Sequence, residues 1–107
     1  MNKERLALYD SIVEQCPSFE RKGKTVPYTS ANGHMFSFIN KDGELGFRFS
    51  KEVQEEYFEK YKTTHFISHN SKMKGYILIT EEMLSDSKLL IELLNQSYDY
   101  VMSLDPK

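Results

Sequence analysis

Cysteine is almost missing from this chain: Cys16 is the only one. An intrachain disulfide is therefore impossible, and a thiolate metal cluster cannot form. Tryptophan is absent, proline occurs only 3 times, and no apolar run approaches the roughly 20 residues of a membrane-spanning helix. The opening Met1-Asn2-Lys3-Glu4-Arg5 leads into charged and amphipathic sequence instead of an apolar signal core. The expected compartment is the cytoplasm, with no membrane partner. Charge of one sign is also lacking, because 14 Lys and Arg stand against 16 Asp and Glu for a net charge of -2. An electrostatic grip on nucleic acid needs a basic patch. The densest basic run, Arg21-Lys22-Gly23-Lys24, puts three charges on a loop with no base-reading helix beside it. It reads as a solvated segment, and nucleic acid is disfavoured as a partner.

Motifs that announce an enzyme are missing too. There is no Gly-Lys-Ser/Thr phosphate loop, no dinucleotide glycine fingerprint and no Gly-x-Ser-x-Gly elbow. The sequence therefore predicts no enzyme of those classes and no cofactor. His65-Phe66-Ile67-Ser68-His69 has the interval of a paired zinc ligand, but that interval works on a helix. On a strand the two imidazoles lie about 13 Å apart, at roughly 3.3 Å per residue. No metal site is expected from them. Cys16 would be a nucleophile only if a histidine and a carboxylate met it in space, and its place on an apolar helix face argues for packing.

What is present is ordinary globular composition, with 39% hydrophobic and 28% charged residues and 7 each of Tyr and Phe. A chain of 107 residues fits a single domain, 1–107, and hides about two-thirds of its unfolded surface without metal or disulfide. Leu6, Tyr9, Ile12, Val13 and Cys16 recur at helical spacing before Pro17 closes the segment. Short β-prone runs follow at Thr25 to Ser30, His34 to Asn40 and Glu44 to Phe49, divided by Asn32-Gly33 and Asp42-Gly43. Both dipeptides supply the positive φ of tight hairpins. Pro27 lacks an amide donor, which assigns the first run to an edge or a bulge. Leu45, Phe47 and Phe49 alternate with Gly46 and Arg48, the pattern of a sheet covered on one side. Ser50 caps a helix from Lys51 to about Tyr61, on which Glu55, Glu56 and Glu59 form a solvated face. Strand character returns at His65 to Ser68 and at Gly75 to Thr80, where Tyr76-Ile77-Leu78-Ile79 reads as a doubly buried strand. Thr80, Glu81 and Glu82 open a short helical turn. Ser85 or Asp86 caps a final helix whose core face holds Leu89, Leu90, Leu93, Leu94, Ser97, Val101 and Leu104.

The order is α-β-β-β-α-β-β-α. The fold class that follows is α+β, a two-layer sandwich with a largely antiparallel five-stranded sheet packed by helices. This order, with Gly33-His34-Met35-Phe36-Ser37-Phe38-Ile39, Gly43-Glu44-Leu45-Gly46-Phe47-Arg48 and Met73-Lys74-Gly75-Tyr76-Ile77-Leu78-Ile79, resembles the TfoX N-terminal domain family over about Phe19 to Leu104. The resemblance implies a compact bacterial cytosolic domain. The family's best-known members regulate competence for DNA uptake, and its solitary members mostly lack an assigned activity. Val26-Pro27-Tyr28-Thr29-Ser30 stands where the family often shows a Met-Phe-Gly-Gly type run, so a role tied to that run does not carry over. The resemblance does not extend to the regulators' helical C-terminal domain, so their regulatory role is not expected to come with it.

The connection before the last strand mixes amide, cationic and thioether groups. His69, Asn70, Lys72, Met73, Lys74, Gly75 and Tyr76 are the candidate interaction loop, since binding residues concentrate on loops held by a rigid scaffold. The leading expectation is a non-enzymatic interaction or regulatory module that forms a homodimer and engages an unidentified protein partner. The alternative is a small-molecule binding protein or minor enzyme using a cleft between sheet and helices, with His65 or His69 as its polar group.

Overall fold

The structure, a computed structural model, describes residues 3–23, 25–68 and 70–107. The elements in chain order are α1 (Lys3–Glu14), β1 (Tyr28–Ala31), β2 (His34–Ile39), β3 (Leu45–Arg48), α2 (Lys51–Lys60), β4 (His65–Ser68), β5 (Ser71–Leu78), α3 (Glu81–Leu84) and α4 (Ser87–Met102). All five strands are antiparallel to their neighbours, in the spatial order β1-β2-β3-β5-β4. The fold is thus the α+β arrangement expected, with an antiparallel five-stranded sheet against helices. Among the described residues, no helix is long and apolar enough to cross a membrane.

The helices share one face of the sheet. Tyr9, Ile12 and Val13 of α1 and Leu90, Leu93, Leu94 and Val101 of α4 pack with Leu45, Phe47, Phe49 and Ile77 in one buried cluster. Helical spacing in both segments brings those side chains onto one stripe, and burying a Leu-sized side chain contributes roughly 2 kcal/mol. Asp86 caps α4 through its carboxylate, which accepts the Leu89 amide at 3.1 Å, and Ser50 does the same for Val53 at the start of α2.

The opposite face is covered by its own aromatic side chains. Phe38, Phe66 and Tyr76 form a second buried cluster, with Tyr28, Met35, Met73 and Leu78 packed around it. Every member is a strand residue. The alternation in β3 therefore separates two buried faces, where one buried and one solvated face was expected. Gly46 explains how: it leaves room for the Phe66 ring.

β2 departs from simple alternation because it is bulged. Thr29 pairs with Ser37 and Ser30 with Met35, so Phe36 is the extra residue. Phe36 joins the helix-side core, as Phe38 joins the far cluster, and Ser37 lies 2.6 Å from the Tyr9 hydroxyl of α1. Two successive side chains thus face the helices, which no strict period of two allows.

The turns differ in kind. Asn32 and Gly33 both have positive φ, at 57° and 81°, as a tight two-residue hairpin requires. At Asp42-Gly43 only Gly43 does, at 84°, and the Asn40 carboxamide accepts the amides of Asp42 and Glu44. That turn is a longer loop ending in a left-handed glycine, and the expectation of two positive φ values there is corrected. Strand boundaries also shift. β1 starts at Tyr28, after Pro27, and β5 starts at Ser71, four residues before the expected Gly75, because β4 and β5 form a tight hairpin.

Candidate functional site

A cleft of 680 Å³ opens where β3 ends, β5 begins and α2 starts. Its walls follow from the local folding of each segment. Arg48 is the last residue of β3, and the chain turns at Phe49 and Ser50 into α2, which places Lys51 and Gln54 on the first turn beside it. Gln54 is buried and donates to the Phe49 carbonyl at 2.8 Å, which ties that turn to the strand end. Lys72 and Lys74 enter from β5, His65 from β4 and Tyr100 from α4. The Arg48 guanidinium carbon sits 5.8 Å from the centroid of the Tyr100 ring, a cation–π contact that holds the cation at the wall.

β5 is distorted where it meets the cleft. His65 pairs with Ile77 and Ile67 with Lys72, so residues 65 to 67 of β4 span residues 72 to 77 of β5. Gly75 lies within the excess with a φ of 95°, and its carbonyl accepts the Phe49 amide at 3.1 Å. A Cβ there would stand 3.6 Å from Arg48, an ordinary contact, so backbone conformation and not space calls for glycine.

The sequence segment singled out as an interaction loop is thereby divided. Lys72, Lys74 and Gly75 line the cleft. Met73 and Tyr76 turn to the far aromatic cluster, where the Tyr76 hydroxyl donates to the Met35 carbonyl at 2.8 Å. Burial pushes the Tyr76 phenol up to about 12, with the Arg48 charge pulling the other way. Asn70 takes the left-handed conformation of the hairpin turn, at a φ of 61°. His69 lies outside the described residues. Most of the segment is thus strand and not loop, and its two faces serve different purposes.

Charge in the cleft is one-signed. Arg48, Lys51, Lys72 and Lys74 line it and no carboxylate does. The sequence drew attention to Arg21-Lys22-Gly23-Lys24 instead. Of those, Arg21 is paired with Asp10 at 2.8 Å and donates to the Gly23 carbonyl, Lys22 reaches Ser30, and Lys24 lies outside the described residues. The cations that gather in space come from two stretches far apart in the chain, 48–51 and 72–74, a grouping that linear density cannot reveal.

The remaining candidates are held by local contacts, and of these only His65 also reaches the cleft. Cys16 is buried, its thiol is pushed up by burial, and it donates to the Ile12 carbonyl at 3.4 Å. His34 meets the Asp105 carbonyl through Nε2 at 2.8 Å, at the other end of β2 from the Asn40 turn. His65 stacks edge-on against Phe58, with ring centroids 4.7 Å apart. Among the described residues no three His, Cys, Asp or Glu side chains come together as a metal site. No family model, curated protein or solved structure matches this chain.

Proposed function

We propose that this chain is a non-enzymatic interaction module of the TfoX N-terminal type, acting in the bacterial cytoplasm, and that it forms a homodimer by pairing β4 with β4 of a second copy. The carrying observation is the difference between the two sheet edges. On β1 the edge is closed at its first residue: Lys22 bridges Tyr28 with both backbone bonds, at 2.7 and 2.9 Å, and Pro27 removes a donor next to it. β4 ends the sheet on the other side, and its segment His65-Phe66-Ile67-Ser68 holds no Lys, Asp, Glu or Pro. Those are the residues that guard natural edges against pairing. Ile67, moreover, is 57% exposed. An antiparallel strand pair about a two-fold axis satisfies the edge amides and covers Ile67 in both copies, and closed two-fold pairing is the commonest oligomeric solution. The far sheet face is a weaker candidate, since Phe38, Phe66 and Tyr76 are already buried within the chain.

Light scattering after size exclusion tests this reading. The expected mass is twice the 12.6 kDa of the chain, and Ile67→Lys is expected to return the monomer with an unchanged melting temperature. A wild-type chain that stays monomeric at micromolar concentration would sink it. The cleft favours a second reading, a small-molecule binding protein, with His65 at its wall as the polar group.

A further inference from the structure

We infer that the cleft between the end of β3, the start of β5 and the first turn of α2 binds a small organic phosphate. Charge carries the argument first. Arg48, Lys51, Lys72 and Lys74 converge on one concavity in a chain of net charge -2, with no carboxylate among the lining residues. Among the described residues, the ion pairs are Arg5–Glu81 and Arg21–Asp10, so none of these four cations has a carboxylate partner. Gathering like charges without counter-charge raises the free energy of the folded chain, and a bound anion offsets that cost. The ten-residue helix α2 adds to the same field, because its first turn lines the cleft through Lys51 and Gln54 and its positive end favours an anion. Glu52, in that same turn, is not a lining residue.

Size and wall chemistry then narrow the ligand. A volume of 680 Å³ falls in the range of small-molecule pockets, about 300–1,000 Å³, and inorganic phosphate would leave most of it empty. Tyr100 and His65 line the cleft beside the cations and add ring surface to a wall that is otherwise charged. Arg48 supplies a planar fork and the three lysines supply movable point charges, the combination used to hold phosphoryl oxygens. A cleft of this kind is a concavity and not a ridge that tracks a duplex, and the negative net charge opposes a polyanion.

Lys72 and Lys74 are exposed, so neutralising them leaves the core intact. Titration calorimetry at physiological ionic strength should be run with ADP, inorganic pyrophosphate, citrate and a short duplex DNA. ADP and pyrophosphate are expected to bind once per chain, ADP more tightly. The double variant Lys72→Gln/Lys74→Gln is expected to weaken both by about tenfold or more at an unchanged melting temperature. Lys88→Gln, on an exposed lysine outside the cleft, is expected to leave binding unaltered. The same titration on Ile67→Lys separates this site from self-association. The inference is overturned by no phosphate binding, by full binding to the double variant, by citrate binding as tightly as pyrophosphate, or by DNA binding more tightly than ADP.

Discussion

The Phe66 ring of β4 rests on the bare α-carbon of Gly46 in β3, and a Cβ built on Gly46 would fall 2.8 Å from Phe66 Cγ. β5 lies between the two strands, so the ring reaches across a neighbour to cover the glycine. Phe66 is wholly buried and meets Phe38 edge-on at 4.9 Å. Gly46→Ala must therefore displace the ring that organises the far cluster. Its expected cost is about 1–3 kcal/mol of stability, as for overpacked cores. Urea unfolding checks it, and pairing Gly46→Ala with Phe66→Leu should recover part of the loss. An unchanged midpoint for Gly46→Ala would show that the far cluster has slack.

Ser97 of α4 is fully buried on an otherwise apolar stripe, with Oγ 3.1 Å from the Phe36 carbonyl and 2.5 Å from the Arg48 carbonyl. It fastens the helix to the β2 bulge and to the strand end that carries the cleft's arginine. Ser97→Ala removes that donor, with an expected loss of about 1–3 kcal/mol. Helix propensity alone pushes the other way, by up to about 0.5 kcal/mol in favour of Ala. The sign of the change in urea midpoint thus decides whether the hydroxyl pins the sheet.

Alkaline stability should report the far cluster. Tyr76 is raised from 10.0 to about 12 by burial, and Tyr9 is raised as well by burial, with its hydrogen bonds to Ser37 and Thr29 pulling the other way. A phenol whose folded pKa is raised binds its proton more tightly in the native state. Its contribution is full below pH 10.0 and is lost as pH rises through about 12. The urea midpoint is expected to fall steeply across that window, and less steeply in Tyr76→Phe, which removes only that phenol. Equal slopes in the two proteins would mean that the Tyr76 hydroxyl is already solvated.

Much of this protein was legible along the chain, because periodicity and capping are local properties of burial. Leu6 to Cys16 and Leu89 to Leu104 carry their helical stripes, Ser50 and Asp86 their caps, and Asn32-Gly33 its hairpin. The element order and the antiparallel class followed from those signals. Of the cleft, Lys72, Lys74 and Gly75 stood out as a mixed polar segment and His65 as a polar group, whereas Arg48, Lys51, Gln54 and Tyr100 did not. Only the tertiary structure decided that β5 inserts between β3 and β4, and that insertion brings Lys72 and Lys74 beside Arg48. It also decided that Phe36 is an extra residue and that the far sheet face buries its own aromatics. Local pattern states which side chains leave water, but not which other segment they meet. Strand adjacency, bulges and the convergence of charges from distant segments depend on how all the elements pack together, and no window of sequence contains that.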